Sequence, residues 1–436
     1  MGLTAIEKVL ARVCGKTQVI PGEIVYPNPD YIMIHDVLVR ETKIQLDQVH
    51  IKKLAHPEKV MMFSDHDVIY GSQRAAERGK YNRQAAKEWG VTNFYDAGKG
   101  GHGHIFPMEQ GIILPGMFYF DNDTHATNAG AVGAFGIRVG GEISRVLGTG
   151  TTWLTVPKTI RIDLQGHVNP GVLGRDIGFF IARSIKNGSL KADFDYQIIE
   201  FSGDLDQFSF GDRVALCSSP TELRAAGVFI PPSERILKYC QAHHQSPFTP
   251  IFSDPDAQYE STHTIHLEEI EPQIALPGNL SNSVDISESL NIPVQHAFIG
   301  SCGSGTYEDL LLAAAVLKDK KIHPEVRLFI VPGSEASTRR MLREGLMEIF
   351  YDSGAMILPA GCGPCNDAVV GPIAPGENSI STATNNNRGR FGANDAKLYL
   401  GSPLSVAASA VCGKISDPRT LAINQELLHQ IESAYV

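Results

Sequence analysis

Three cysteines carry the strongest chemical signal in this sequence. Cys302 lies in HAFIGSCGSGTYEDL, and Cys362 and Cys365 lie in AMILPAGCGPCND. In each stretch a short apolar run, typical of a strand, breaks into a Gly-rich turn, so both loops are expected at strand ends, where ligands collect. Three thiolates on two such loops can bind three corners of a 4Fe–4S cube and leave the fourth iron open.

The spacing of these cysteines also allows other interpretations. Cys362 and Cys365 can form a redox CxxC pair or half of a zinc site, with Cys302 an unrelated core residue. A zinc site would need a fourth Cys or His at short spacing, and none follows Cys365 nearby. Spacing alone therefore does not decide between an iron–sulfur cluster, zinc and no metal.

Acidic residues and histidines follow three further apolar runs, in FSDHD, GHGHIF and FDNDTH. A single histidine at such a place is usually a satisfied core or surface residue. Three groups at consecutive strand ends point to a site, because the carboxyl ends of parallel strands meet at one edge of a sheet. An Asp–His unit fixes one imidazole tautomer, as general acid–base catalysis on a hydroxyl requires. The candidate catalytic residues here are Asp65, His66, His104, Asp123 and His125.

The glycine-rich and polar loops are less specific. GKGGHG, GTGTTW and GSCGSG match neither the P-loop nor the dinucleotide-binding pattern, which indicates tight turns. The segment STATNNNRGRFGAND, residues 381–395, is polar and carries Arg388 and Arg390. It is either a solvated loop or an anion-binding loop in which arginines grip a substrate carboxylate.

Composition limits the class of protein. The chain has 436 residues and a net charge of −10, which argues against a nucleic-acid-binding face. No apolar run approaches the roughly 20 residues needed to span a bilayer, and the N-terminus predicts an amphipathic helix with a Thr4–Glu7 capping box instead of a signal peptide. Seven cysteines, an odd number, indicate a reducing, cytoplasmic compartment. The four outside the two loops are expected to be core thiols: Cys14, Cys217, Cys240 and Cys412.

Alternating strand-like and helix-like patterns predict an α/β fold with largely parallel sheets. The predicted segments are 1–157, 158–285 and 286–436, the last carrying the cluster cysteines. RAAERGKYNRQAAKEWG, DIGFFIARSI and SPTELRAAG are predicted helices, the first ending at Gly90. Weak periodicity in residues 245–292 favours surface structure or a linker.

The motifs together resemble the aconitase superfamily, and most closely the large subunits of the 3-isopropylmalate dehydratase and homoaconitase type. IGSCGSGTYEDL and GCGPC are similar to the family's two cysteine loops, and FSDHD, GHGHIFPMEQGIILPG and DNDTHATNAGAVGAFG to its polar segments. By this resemblance, Cys302, Cys362 and Cys365 would bind a 4Fe–4S cluster. Glu222, in LCSSPTE, lies where the family has a glutamate near that cluster.

The resemblance implies three α/β domains around the cluster, without the swivelling fourth domain that some relatives carry covalently. A separate small subunit is therefore the expected partner, together with a small-molecule hydroxy-dicarboxylate. The implied reaction is that of a hydro-lyase or isomerase. The open iron acts as a Lewis acid on the substrate hydroxyl and a carboxylate, and a His–Asp unit protonates the departing hydroxyl. In the family the base is a serine of the swivelling domain.

The chain departs from the family at the substrate-binding positions. The family loop resembles S-T-S-N-R-N-F-x-G-R, so Asn385 replaces its first arginine, Arg390 keeps the second, and Arg388 is new. Thr124 replaces the usual serine, and Ser218 an asparagine. The expected substrate is a malate-like 2-hydroxy dicarboxylate of the 3-isopropylmalate type. The alternatives are methylmalate, dimethylmalate or homocitrate-type acids, or a non-catalytic iron-sensing protein.

Overall fold

The computed structural model describes residues 2–244, 247–365 and 370–433. Its α-helices are α1 Ala5–Val13, α2 Val39–Gln48, α3 Gln73–Trp89, α4 Phe106–Glu109, α5 Ile143–Thr149, α6 Gly174–Lys186, α7 Phe210–Thr221, α8 Glu234–His243, α9 Tyr307–Leu317, α10 Glu335–Arg343, α11 Leu346–Ser353, α12 Pro403–Cys412 and α13 Gln425–Ser433. Within the described residues, no helix is long and apolar enough to cross a bilayer.

The strands are short, and most belong to parallel sheets. They are β1 Ile24–Val25, β2 Tyr31–His35, β3 Val60–Phe63, β4 Asn93–Tyr95, β5 Phe118–Asp121, β6 Phe135–Arg138, β7 Leu154–Thr155, β8 Thr159–Gln165, β9 Ile198–Gly203, β10 Gly227–Phe229, β11 Ser261–His266, β12 Gln273–Ala275, β13 Ser283–Asp285, β14 His296–Ile299, β15 Arg327–Ile330, β16 Met356–Ile357, β17 Asn378–Ser381 and β18 Lys397–Leu400.

The chain forms two compact units, each built from three chain segments. The first unit comprises Met1–Asp163, Phe194–Ser202 and Arg224–His263, and the second comprises Leu164–Asp193, Gly203–Leu223 and Thr264–Val436. The predicted α/β class with largely parallel sheets is confirmed. The division into domains 1–157, 158–285 and 286–436 stays a prediction.

The first unit contains a five-stranded parallel sheet in the order β4-β3-β2-β5-β6. From β2 the chain adds strands first on one side and then on the other, so the direction of winding reverses between β2 and β5. In such sheets a crevice opens at this switch point, beyond the carboxyl ends of the two strands. His35 ends β2 and Asp121 ends β5, which places both residues at the switch point.

The second unit repeats this arrangement. Its seven-stranded sheet has the order β13-β12-β18-β17-β14-β15-β16, and the five strands from β18 to β16 are parallel. The winding reverses between β14 and β17, again beside the first strand of the parallel set. The loop carrying Cys302 follows β14, and the polar loop 381–395 begins at the end of β17.

Apolar side chains account for the stability of each sheet. In the first unit β2, β3 and β5 contribute Ile34, Met62 and Phe120 to one core cluster, all almost fully buried. In the second, α9 contributes Leu310, Leu311 and its alanines to another. Because these strands are covered on both faces, their sequences are continuous apolar runs.

Local predictions have mixed outcomes. The Thr4–Glu7 capping box and the end of α3 at Gly90, in left-handed conformation, are confirmed. The predicted helix at SPTELRAAG is wrong. Helix α7 begins earlier, carries Pro220 in its last turn, and ends at Thr221, and β10 starts at Gly227. Proline ends a helix by removing an N–H and restricting the preceding residue, so this segment is an end and not a start.

The cysteines outside the two loops divide into two pairs. Cys217 and Cys240 are buried, as predicted for core thiols, whereas Cys14 and Cys412 are half-buried near helix ends. No disulfide joins any of these seven cysteines, all of which lie among the described residues.

The loop after β4 approaches the first sheet so closely that it requires glycine at position 103. A Cβ atom on Gly103 would lie 2.5 Å from His35 Cε1 and 3.0 Å from Phe63 Cδ2. The Gly103 amide also donates a hydrogen bond to Asp65 Oδ2, 2.9 Å away. The loop is thereby fixed against the end of β2.

We expect Gly103→Ala to lower the free energy of unfolding by about 1–3 kcal/mol, the usual cost of overpacking a buried site. The matched control is Gly141→Ala, because the nearest atom to a Cβ there would be Gln45 Nε2, 4.0 Å away. Urea unfolding followed by circular dichroism measures both. Equal stability of the two variants would contradict the close approach.

Candidate functional site

A buried histidine organises the polar residues of the first unit. His35 Nδ1 lies 2.8 Å from Asp65 Oδ2, and His35 Nε2 lies 3.4 Å from Asp121 Oδ1. All three side chains are fully buried. The backbone N–H of His35 donates to Asn122 Oδ1 at 2.9 Å, which ties the end of β2 to the segment after β5.

The charges of this group follow from its geometry. Burial alone would lower the pKa of His35, but Asp65 and Asp121 outweigh it and raise this pKa well above its usual value. Burial would likewise raise the pKa of Asp65, yet His35 and His66 hold it well below its usual value. The pKa of Asp121 is lowered too, against burial, mainly by the charge of His35. The group is therefore an imidazolium between two carboxylates.

His66 is held by two carboxylates through one nitrogen. Its Nδ1 lies 2.9 Å from Asp36 Oδ1 and 2.9 Å from Asp65 Oδ1, and its side chain is 10% exposed. Asp36 Oδ2 also accepts hydrogen bonds from the backbone amides of His66 and Asp67. This arrangement fixes Nδ1 of His66 as the protonated nitrogen.

His104 forms the second Asp–His pair. Its Nε2 lies 3.0 Å from Asp121 Oδ2 and 3.9 Å from Asp123 Oδ1. Its buried Nδ1 has no hydrogen-bond partner within the described part of the chain. Burial would raise the pKa of Asp123, but His104 and the other nearby histidines keep it below its usual value. His125 follows, with its ring centroid 6.2 Å from that of His104.

His102 differs from its neighbours because it is held neutral. Burial lowers its pKa well below the usual value, and the charges of His104, His35 and His66 act in the same direction. The nearby Asp65 opposes this shift without reversing it. A neutral imidazole thus lies beside the His35 imidazolium, with ring centroids 6.3 Å apart.

The structure brings together the five candidate catalytic residues of the first unit and adds three that were missed. Thr124 lies among them in sequence but is exposed at the start of the 3-10 segment Thr124–Val132. The missed residues are His35, Asp36 and Asp121. Their signal was present, because a His–Asp pair ends the run YIMIH and an aspartate ends FYF.

In the second unit the cysteine loops lie at the predicted strand ends. Cys302 follows β14, and Cys362 and Cys365 follow β16, two strands away in the same parallel sheet. All three thiols are buried, with 4–5% of each residue exposed. Left-handed backbone occurs beside them at Ser301, with φ of 70°.

The chemistry of these loops fits an iron–sulfur cluster. Cysteine sulfur is a soft ligand of the kind that selects iron–sulfur clusters or zinc over hard cations. The buried guanidinium of Arg175 lies close to the Cys302 loop, because its Nη1 would be 2.8 Å from a Cβ atom on Gly303. Within the described residues, the two loops offer three cysteine ligands, the number that a cluster with one open iron requires.

The remaining predicted residues lie around the same end of the second sheet. Glu222 follows the last residue of α7 and is half-buried. In the polar loop, Asn385 and Arg390 are half-buried, whereas Arg388 is exposed and donates from Nε to the Asn394 carbonyl at 2.9 Å. The Asn385 amide oxygen is buried and has no hydrogen-bond partner among the described residues.

His35→Asn removes the charge that offsets Asp65 and Asp121 while keeping one N–H donor. We expect a loss of about 3–5 kcal/mol in the free energy of unfolding, because one partner of a buried ionic group is removed. Because the pKa of His35 is raised in the folded state, its protonation stabilises the fold fully below about pH 6.5. This stabilisation is lost as the pH rises through the folded-state pKa. Lowered aspartate pKa values stabilise it above about pH 4.

The difference between wild type and H35N is therefore expected to be largest between about pH 4 and 6.5 and to shrink in alkali. Urea midpoints measured across this range check the prediction. His50→Asn is the control, because His50 is exposed and has a φ of 61°, which asparagine tolerates. A variant H35N as stable as H50N would contradict the ionic assignment.

The chain matches a known protein family and, over nearly its whole length, individual proteins. Residues 7–413 match the Aconitase family (aconitate hydratase). The chain is 36% identical over 422 residues to the 3-isopropylmalate dehydratase large subunit 1 of Methanopyrus kandleri, covering 96% of this chain and 99% of that protein. It is 35% identical over 426 residues to the 3-isopropylmalate dehydratase large subunit of Aquifex aeolicus, covering 96% and 97%.

Among solved structures, aconitase X of Thermococcus kodakaraensis in its holo-form covers 90% of this chain and 93% of its own, with 13% identity and a TM-score of 0.46. That similarity is too low to support any argument. The family match and the full-length relatives carry the assignment, and they confirm the predicted family and enzyme class. The chain belongs to the aconitase family, a family of hydro-lyases whose members carry a 4Fe–4S cluster.

Proposed function

We propose that this chain is the large, cluster-bearing subunit of a dehydratase that acts on a malate-like 2-hydroxy dicarboxylate of the 3-isopropylmalate type. The observation that carries the proposal is its 32–36% identity, over nearly the whole chain, to proteins named as 3-isopropylmalate dehydratase large subunits. The two residue groups at the switch points of the two parallel sheets support it, since ligands bind at such points.

Cys302, Cys362 and Cys365 are the proposed ligands of the 4Fe–4S cluster. When bound, the cluster supplies a Lewis-acidic iron for the substrate hydroxyl and an adjacent carboxylate. The protein contributes three buried cysteine side chains on two loops. Each loop follows a strand of the same parallel sheet, which supports a common site.

His66 is the proposed acid that protonates the departing hydroxyl. Asp36 and Asp65 hold its Nδ1 proton, so proton exchange would take place at Nε2. His104, held by Asp121 and next to Asp123 and His125, is the proposed second acid–base unit. Glu222 is proposed as a catalytic residue of the second unit.

We assign binding of the substrate carboxylates and hydroxyl to polar residues of the loop 381–395 and to Thr124. Arg390 is the proposed carboxylate ligand, and the Asn385 amide oxygen is available as an acceptor for a substrate hydroxyl. Arg388 is proposed as a peripheral contact, because its Nε is engaged by Asn394. A single retained arginine favours a substrate whose second carboxylate is bound by the partner subunit.

A small subunit is the proposed partner, because the relatives are named as large subunits. It would supply the base that removes the proton from the carbon next to the departing hydroxyl. The chain alone is therefore proposed to be inactive.

Mixing the cluster-loaded chain with a small subunit from a 3-isopropylmalate dehydratase tests this function. We expect enoate formation from 3-isopropylmalate, followed by its ultraviolet absorbance, and none from either subunit alone. Methylmalate, dimethylmalate and homocitrate are assayed in parallel, and the highest kcat/KM identifies the substrate. No enoate from any of these acids, with a loaded cluster and a formed complex, would contradict the proposal.

Cys302→Ser tests the ligand assignment. We expect the iron and sulfide content to fall and the activity of the complex to drop by more than about 100-fold, because losing a ligand exceeds the 10–100-fold cost of outer-shell changes. Cys412→Ser is the control, since Cys412 is a half-buried thiol at the end of α12 in the same unit. Wild-type cluster content in C302S would refute the assignment.

A further inference from the structure

Arg175 is a buried charged residue for which the acid–base and substrate assignments have no role. It is the second residue of α6, only 1% exposed, in the sequence GRDIGFFIA, where Asp176 is the only other charged residue. A buried guanidinium costs several kcal/mol unless charges and hydrogen bonds compensate it. Compensating charges or hydrogen-bond acceptors are therefore expected around Arg175.

The guanidinium lies between two loops that follow neighbouring parallel strands. Its Nη2 donates a hydrogen bond to the carbonyl of Ala383, in the polar loop after β17. Its Nη1 would lie 2.8 Å from a Cβ atom on Gly303, the residue after Cys302. Since β14 and β17 border the switch point of this sheet, Arg175 lies beside that crevice.

One face of the guanidinium is covered, and one donor remains available to a ligand. The ring of Phe179, one turn along α6, lies 5.1 Å from the guanidinium carbon and packs against it. The Nε–H group is buried and has no hydrogen-bond partner among the described residues. A buried donor needs an acceptor, and a sulfide or thiolate sulfur of suitable charge is one.

The protein carboxylates nearby offset this charge only in part. Burial raises the pKa of Asp309 and that of Asp176 to about 7, so both are incompletely ionised at neutral pH. Burial lowers the pKa of Arg175 to about 10, and the side chain stays cationic. The electrostatic neighbours of Arg175 also include Cys302 and Cys365, the proposed cluster ligands.

We propose that Arg175 is a positioning residue for the iron–sulfur cluster, joining the Cys302 loop to the Ala383 loop and placing a fixed positive charge beside the cluster. This inference rests on the proposed function, because it requires the cluster. A nearby positive charge stabilises the more negative, reduced form, and charge and hydrogen bonds to sulfur set the reduction potential of such clusters. Removing the charge should therefore lower the potential.

The test compares reconstituted full-length chains of wild type, R175M, R175K and R183M. Arg183 is the matched control, because it lies two turns further along α6, is partly exposed, and pairs with Asp285 at 3.0 Å. R183M thus makes the same change in net charge on the same helix. Iron and acid-labile sulfide report cluster content, and a reductive titration followed by electron paramagnetic resonance reports the midpoint potential.

We expect a more negative midpoint for R175M than for wild type, partial return in R175K, and the wild-type value in R183M. If R175M is folded, as judged by circular dichroism, but binds less iron than wild type, we expect R175K to bind more iron than R175M. If R175M does not fold, the neutral R175Q takes its place. A loaded neutral variant with the wild-type midpoint, or no recovery in folded R175K, would overturn the inference.

These outcomes separate the two proposals. A wild-type chain that binds no cluster overturns the proposed function, and the role of Arg175 with it. A wild-type chain that binds the cluster, with variants of Arg175 indistinguishable from it in potential and iron content, overturns only the role of Arg175.

Discussion

Buried charge at the carboxyl ends of parallel strands is the constraint on which both units depend. In each unit the winding reverses beside the first strand of the parallel set, and the polar residues lie at that reversal. A charge taken out of water there must be matched by an opposite charge and by hydrogen bonds. In the first unit the charge of His35 balances the carboxylates of Asp65 and Asp121. In the second unit Arg175 lies near the cysteine loops.

This constraint explains why the first unit holds its catalytic candidates so rigidly. The His35 imidazolium is not exposed to solvent, and its role is to keep two aspartates ionised. Those aspartates then orient His66 and His104 through one ring nitrogen each. The proposed acid–base residues, His66 and His104, are thus oriented by aspartates that pair with a fully buried histidine.

From the sequence we predicted residues whose side chains are typical of catalysis or metal binding. We missed residues that contact and orient those side chains. The three cysteines and the Asp–His segments were predicted from their residue types and from their positions after apolar runs. His35 was visible only as the end of an apolar run, because nothing in YIMIH shows which strands flank it. Arg175 and Ala383 are 208 positions apart, so their contact follows from tertiary structure and has no local signal. The end of α7 at Thr221, just after Pro220, was missed because flanking helical residues outweighed the proline.

Three cysteines of the second unit are the proposed ligands of a cluster with one open iron. Iron, zinc and acid-labile sulfide analysis of the full chain, purified and reconstituted without oxygen, tests this assignment. We expect about four iron and about four sulfide per chain, the composition of the cube, and no zinc. Zinc without labile sulfide, or a folded chain that takes up neither iron nor sulfide, would contradict it.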